Sequence, residues 1–184
     1  MTTATDLGLV PGTYTIDPAH SEIGFTVRHM MVSKVRGRFG TFEGTLNIAE
    51  NPLDSTVTAE IDMSSINTGQ EQRDEHIRSN DFFSVAEHPK MTFRSTGIRP
   101  DGDGFLLDGE LTIKGDTRPV TLELEFEGST KDPMGFTRVG FSAEGEISRS
   151  EFGVDIQMPM DGGGVVVGDK IKLDLAVEAT LNQE

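Results

Sequence analysis

The sequence predicts an all-β fold, and two patterns lead to that prediction. Apolar and polar residues alternate with a period of two along most of the chain, as they do in strands with one buried face. Short runs rich in glycine, proline and aspartate separate neighbouring alternating segments, as hairpin turns do. Because each strand has a single apolar face, the strands are expected to share one interior. A meander closed into a barrel fits this pattern, and a two-sheet sandwich is the alternative.

About eight or nine strands are expected from this alternation. In order along the chain, the strand segments are YTID, SEIGFTVR, the region from Val35 to Ile48, TVTAEIDMS, KMTFRSTGI, GFLLDGELTIKG, PVTLELEFEG, RVGFSAEGEIS and DKIKLDLAVEATL. The alternation is most regular in PVTLELEFEG and DKIKLDLAVEATL. Glycines inside KMTFRSTGI, GFLLDGELTIKG and RVGFSAEGEIS predict bulges or bends in a curved sheet.

One segment, NTGQEQRDEHIRSNDFF at residues 67–83, breaks the strand pattern. Its charged residues are dense and its apolar anchors are few, so it predicts a loop with a short helix. We expect this segment to cap one end of the barrel. Within it, Arg73 beside Asp74 is more typical of a structural ion pair at a helix than of an acid–base device.

Size and charge limit the function. A chain of 184 residues with 35% hydrophobic residues can form one domain with a sizeable core. A formal net charge of -15 repels phosphate backbones, which disfavours nucleic-acid binding. The absence of cysteine excludes disulfides, thiolate nucleophiles and cysteine-ligated metal centres.

The opening MTTATDLGLVPG has no basic region, no apolar run of signal-peptide length and no small-residue cleavage pattern. Nowhere do about eighteen consecutive apolar residues occur, the length that a membrane-spanning helix needs. We therefore expect a cytoplasmic protein without an integral membrane segment.

Catalytic motifs are scarce. Asp17, His20 and Ser21 have the residue types of a hydrolase triad, but three groups so close together on an extended chain cannot form the relay geometry. We expect them to tie the first strand to a neighbour. The chain has no phosphate-binding or nucleophile-elbow motif, and its histidines lack paired metal-ligand spacing. The sequence thus predicts no catalytic residue, no metal ligand and no cofactor.

The stretch RHMMVSKVRGRF at residues 28–39 gathers four of the sixteen Lys and Arg residues of an acidic chain. Lys34, Arg36 and Arg38 alternate on one side of a strand, with Val35 and Phe39 on the other. The cations can form an ordinary solvated strand face. Alternatively, they form a positive collar at a barrel rim that accepts the anionic head of an amphiphile.

Four separated runs carry a family resemblance. They are YTIDPAHSEIGFTVRHMMVSKVRGRFGTFEG, INTGQEQRDEHIRSNDFFSVAEHPKMTFRST, GELTIKGDTRPVTL and ISRSEFG. In this order and at these distances they resemble the YceI-like family of lipid- and polyisoprenoid-binding proteins. The resemblance covers about residues 13 to 180, so residues 1–12 are expected to be an N-terminal extension and residues 13–182 the domain. The family usually has a tryptophan where this chain has Tyr14.

The resemblance implies a lipocalin-like antiparallel eight-stranded β-barrel. It also implies a hydrophobic pore that holds a polyisoprenoid or similar amphiphilic lipid, and a homodimer. The strand pattern alone agrees with a barrel but leaves open whether side chains fill the interior. The expected function is to carry or sequester the lipid. The alternatives are an enzyme acting on such a lipid, with His29 as its candidate titratable group, and a filled barrel that serves as an interaction scaffold.

The motif match and strand parity give the candidate site residues. Candidate pore-lining or rim positions from the motif match are Phe25, Val27, His29, Met30, Val35, Phe39, Phe83 and Phe93. Strand parity adds Ile61, Leu111, Ile113 and Leu122. Arg28, Arg36, Arg73 and Arg149 are the candidates to form charge-assisted hydrogen bonds with an anionic head group.

Overall fold

The structure is a computed structural model that describes residues 3–29, 32–80, 82–154 and 167–183, with the side chains of His29 and Val167 outside the description. Within these ranges the strands are β1 (Gly12–Ile16), β2 (Glu22–His29), β3 (Ser33–Phe39), β4 (Phe42–Ile48), β5 (Thr56–Asp62), β6 (Ile66–Asn67), β7 (Lys90–Asp101), β8 (Gly104–Ile113), β9 (Asp116–Lys131), β10 (Thr137–Ser148) and β11 (Val167–Leu181). The α-helix α1 spans Glu71–Arg78, and short 3-10 helices lie between several strands.

Eight strands close into a ring. Their order is β1-β4-β5-β7-β8-β9-β10-β11, and β11 pairs again with β1. Every pair in the ring is antiparallel. The structure confirms the antiparallel eight-stranded barrel with one short helix, and the sandwich alternative is wrong.

The remaining strands, β2, β3 and β6, continue three ring strands beyond one end of the ring. β1 and β2 are two parts of one interrupted strand, and β11 is long enough to pair with both. Ile16 of β1 lies opposite Ala179, and Ile23 of β2 lies opposite Leu175. β3 and β4 are likewise the two parts of the region expected from Val35 to Ile48. The extension makes the interior longer at this end.

The break between β1 and β2 is fixed to β11. The Asp17 N–H donates to the Glu178 carbonyl oxygen at 2.8 Å. Ser21 Oγ donates to the same carbonyl oxygen at 3.1 Å and accepts from the Glu178 N–H at 2.9 Å. These bonds are of the kind expected for Asp17 and Ser21, because they tie the first strand to its neighbour.

Arg138 joins three carboxylates around this break. Its Nη1 donates to Asp17 Oδ2 and to Glu178 Oε2, each at 3.0 Å, and its Nε donates to Asp132 Oδ2 at 2.8 Å. His20 Nδ1 lies 2.7 Å from Asp17 Oδ2, and hydrogen bonds from His20 and Arg138 hold the pKa of Asp17 below its usual range. Asp17, His20 and Glu178 each have an atom that could ligate a metal, and these three atoms lie within 4.8 Å of one another. Because the Arg138 guanidinium already bonds both carboxylates, a second cation there is disfavoured.

Turns and bulges lie where glycines predicted them. Lys114 (φ 54°) and Gly115 (φ 81°) form the two-residue connection between β8 and β9, and two positive φ angles match the twist of an antiparallel hairpin. The pairing of β7 with β8 shifts register between Ser95 and Gly97, and that of β9 with β10 shifts at Gly140. The expected bulges are confirmed at Gly97 and Gly140, whereas β10 pairs with β11 without a shift at Gly145.

The two ends of the barrel are covered by different segments. At the helical end, which we define by α1 and the loop at residues 79–89, Phe82 is buried and Phe83 is half-buried. At the N-terminal end, the Ala4 N–H donates to the Glu50 carbonyl oxygen at 2.8 Å, and Ala4 and Leu9 are buried. The segment from Ala4 to Leu9 therefore packs against the barrel. Among the described residues, no helix is both long and apolar enough to cross a membrane.

Candidate functional site

The barrel encloses an apolar cavity of about 260 Å³. This volume lies just below the roughly 300–1,000 Å³ found for small-molecule sites. Side chains or backbone from each of the eleven strands line it, together with residues from both ends of the barrel. The barrel is thus hollow, which strand periodicity could not decide.

Few of the lining residues have polar side chains: Ser55, Thr56, Ser142 and Arg149. Most of their polar atoms are already bonded within the protein. Ser55 Oγ accepts from the Ala49 N–H at 2.9 Å, and Ser142 Oγ donates to Glu127 Oε1 at 2.7 Å. A molecule in the cavity therefore meets almost entirely apolar surface and must be held by burial.

Among the lining residues that the structure describes, Arg149 is the only charged one, and it is only 5% exposed. Its Nε donates to the Gly168 carbonyl oxygen at 3.0 Å, and its Nη1 donates to the Val154 carbonyl oxygen at 2.7 Å. These bonds tie the turn after β10 to the start of β11. Arg149 therefore has a structural role. Its hydrogen bonds also offset part of the cost of burying a charged group.

Two aromatic side chains of the lining lie against glycines on neighbouring strands. The Phe25 ring occupies the space above Gly37, and the Phe93 ring occupies the space above Gly109, so a Cβ at either glycine would overlap with the ring. Phe25 also packs against Phe39, with ring centroids 5.7 Å apart. The glycines therefore set where these rings lie along the cavity wall.

The helical end is held by a clamp around Thr68. Asp74, only 3% exposed, accepts from the Thr68 N–H at 3.0 Å. Arg73 Nε donates to Thr68 Oγ1 at 2.8 Å and Arg73 Nη2 donates to the Thr68 carbonyl oxygen at 2.7 Å. The clamp fixes the start of α1, whose Ile77 reaches the cavity.

Most of the expected lining positions reach the cavity. Nine of the twelve candidates line it: Phe25, Val27, Phe39, Ile61, Phe83, Phe93, Leu111, Ile113 and Leu122. Val35 is half-buried and lies opposite Val27 in the β2–β3 pair, but it is not a lining residue. The side chain of His29 and the whole of Met30 lie outside the described residues.

The expected head-group arginines are not brought together. Arg28 and Arg36 are exposed on the outer side of β2 and β3, because their strand neighbours Val27 and Phe39 point inward. Arg73 belongs to the Thr68 clamp, and only Arg149 reaches the cavity. The prediction of a cationic collar at the pore mouth is therefore corrected. Arg28 and Arg36 lie on an outward-facing surface.

Part of the lining comes from residues outside the predicted set. Leu7 and Leu9 reach the cavity from the N-terminal segment, where no periodic pattern marked them. Ile77 reaches it from α1. Leu173 and Leu175 lie on the apolar face of the segment DKIKLDLAVEATL, and the same parity that selects Leu122 also selects them.

Comparisons with known proteins agree with this architecture. A UPF0312 protein of Staphylococcus epidermidis is 39% identical over 171 residues, covering 92% of this chain and 98% of the relative. A UPF0312 protein of Staphylococcus aureus is 36% identical over 172 residues, covering 92% of this chain and 98% of the relative.

Solved structures share the fold. A YceI protein of Campylobacter jejuni has a TM-score of 0.72 at 29% identity, covering 91% of this chain and 96% of that one. BcnA of Burkholderia cenocepacia has a TM-score of 0.78 at 22% identity, covering 90% and 99% of the two chains. A polyisoprenoid-binding domain of Saccharophagus degradans, implicated in plant cell wall breakdown, has a TM-score of 0.66 at 15% identity, covering 92% and 98%. At such identities, the last two likenesses show the fold alone.

The family model described as YceI-like domain matches residues 14–179, nearly the whole barrel. With the closed eight-stranded ring and the curated relatives, this match shows that the chain belongs to the YceI-like family.

Proposed function

We propose that the protein binds a polyisoprenoid or similar amphiphilic lipid in the barrel cavity and carries or sequesters it. The observation behind this proposal is the lining, which is apolar on every strand and whose few polar side chains are bonded mainly within the protein. Membership of the YceI-like family and the polyisoprenoid-binding domain among the structural neighbours support the same class of ligand.

Burial alone can supply the affinity. Each methylene transferred from water contributes about 0.8 kcal/mol, so the roughly ten carbons that fit a cavity of this volume contribute about 8 kcal/mol before costs. Immobilising the chain and the loss of free translation remove much of this sum. A hydrocarbon segment is therefore a better match for this cavity than a small polar metabolite, which would leave hydrogen-bonding groups without partners.

The cavity also favours binding over turnover. The described lining residues offer no carboxylate, imidazole or amine to a bound chain. General acid–base catalysis needs such a group within hydrogen-bonding distance of the reacting atom. Of the alternatives, an enzyme would need its titratable group outside the described lining, and a filled scaffold disagrees with the cavity.

The direct test is mass spectrometry of an organic extract from protein purified without detergent. A second barrel protein of similar size, prepared in the same way, is the control for adventitious lipid. We expect a prenyl or acyl species in stoichiometric amount, enriched over the control. If the extract is empty, the apoprotein is titrated with prenyl lipids of increasing chain length. No binding at any length, with the fold intact, would refute the proposal.

A further inference from the structure

Six of the chain's sixteen Lys and Arg residues lie on one outward surface formed by β2, β3 and the first half of β11. All six are exposed. We call this surface the basic face, and its residues are Arg28, Lys34, Arg36, Arg38, Lys170 and Lys172.

The cations of the basic face are placed beside one another. Lys34 lies directly opposite Arg28 in the β2–β3 pair. Thr26 lies opposite Arg36 on one side and opposite Lys172 on the other, so two further cations share one cross-strand row. Like charges directly opposite each other destabilise an antiparallel pair. The second row continues through Lys172 to Glu146 on β10, so the cations are most concentrated on β2 and β3.

Among the described residues, most cations of this surface lack the close carboxylate partner that arginines have on other strands, although Glu146 lies opposite Lys172. On other strands Arg94 pairs with Glu110 at 2.6 Å, and Arg99 pairs with Asp108 at 2.7 Å. Within the described ranges, the basic-face residues Lys34, Arg36, Arg38 and Lys172 form no ion pair. In a chain with 31 acidic residues, this local excess of positive charge indicates an anionic partner.

The basic face is the outer side of strands whose inner side lines the cavity. Phe25, Val27 and Phe39 of β2 and β3 point inward. Val32, in the turn between these strands, is 85% exposed. An exposed aliphatic side chain among cations is typical of surfaces that lie in the interface of a bilayer.

We propose that the basic face docks onto an anionic lipid bilayer and so brings the cavity to the membrane from which its ligand is taken or to which it is delivered. This inference rests on the proposed function, because a water-insoluble chain must be exchanged with a membrane. The net charge of -15 repels the bilayer in other orientations, so the basic face also orients the barrel. Binding is weak, reversible and sensitive to salt.

The test is co-sedimentation with vesicles of phosphatidylcholine that contain or lack phosphatidylglycerol. We expect binding only to the anionic vesicles, at low salt, and its loss near 1 M salt, where the Debye length is about 3 Å. A basic-face variant with Lys34→Gln, Arg36→Gln and Arg38→Gln should bind roughly 100-fold more weakly, since each cation near the surface contributes about fivefold.

The matched control carries Arg94→Gln, Arg99→Gln and Arg118→Gln, which remove the same charge from exposed positions on β7 and β9. It should bind the anionic vesicles within about twofold of the wild type. Val32→Asp should weaken vesicle binding without changing the thermal midpoint, because Val32 is exposed in the turn.

A short prenyl probe that is soluble without vesicles separates this proposal from the proposed function. The basic-face variant should bind the probe as the wild type does. Equal binding of both triple variants to vesicles overturns the docking proposal while probe binding still supports the cavity. The docking proposal is also overturned if the basic-face variant instead loses self-association, measured by analytical ultracentrifugation, or binding to duplex DNA.

Discussion

Ala143→Phe is expected to block the cavity without unfolding the barrel. Ala143 is 7% exposed, lines the cavity, and lies between the lining residues Leu124 and Leu175 on the neighbouring strands. A cavity of roughly 150 Å³ accommodates benzene. A phenyl ring should therefore take more than half of the 260 Å³ here. If it excludes about four methylenes of the ligand, the loss is about 3 kcal/mol, or more than 100-fold in affinity.

The assay is titration of the apoprotein with a fluorescent prenyl probe, together with urea unfolding. Ala176→Phe is the matched control, because Ala176 is exposed on the outer side of β11. It should leave probe affinity unchanged. Ala143→Phe should lower the free energy of unfolding by less than the roughly 1–3 kcal/mol typical of overpacked cores, since the ring enters empty space. Wild-type affinity in a folded Ala143→Phe variant would refute a cavity-bound chain.

Two further predictions concern the frame around the cavity. Hydrogen bonds from Arg138 lower the pKa of Asp132 in the folded protein. The Asp132 carboxylate therefore stabilises the fold at pH values above its unfolded pKa of about 4. This stabilisation is lost as the pH falls through the pKa of Asp132 in the folded protein. The urea midpoints of wild type and Arg138→Met should accordingly converge below about pH 4; a constant difference would show that the ion pair does not cause the pH dependence. Gly109→Ala, whose Cβ would overlap with the Phe93 ring and lie 2.9 Å from a backbone oxygen, should cost about 1–3 kcal/mol in urea unfolding. The control Gly97→Ala, with no atom within 4 Å of its Cβ, should cost less, and equal losses would contradict the packing explanation.

Strand parity predicted the barrel and much of its lining, because one side of each strand must face the interior. In β9, for example, Val120, Leu122, Leu124 and Phe126 all line the cavity. Parity could not show whether the interior is hollow, since a filled barrel has the same alternation. Parity also could not identify Leu7 or Leu9 as lining residues, because their contacts come from the path of a non-periodic segment across the barrel end.

Homodimerisation and a cytoplasmic location stay predictions.

The head-group prediction shows where residue type misleads. Arg36 and Arg149 are the same amino acid in the same strand-rich context, yet one is exposed and the other is buried and bonded to carbonyl oxygens. The residue type alone indicates only that a cation is present. The alternation of apolar and polar neighbours indicates whether the cation faces the interior or the solvent. In β3 the buried neighbour Phe39 already places Arg36 and Arg38 outward.

The register of β2 against β3 links the cavity to the basic face. A slip by one residue would put the cations of β3 on the same side as Phe25 and Val27, so neither surface would survive. The Phe25 ring fits only above a residue without a Cβ, and Gly37 lies directly opposite it. Arg36 and Arg38 flank that glycine, so a shift in either direction would place a long charged side chain where the ring now lies. Gly37 thereby fixes the register, and with it the separation of an apolar interior from a cationic exterior on the same two strands.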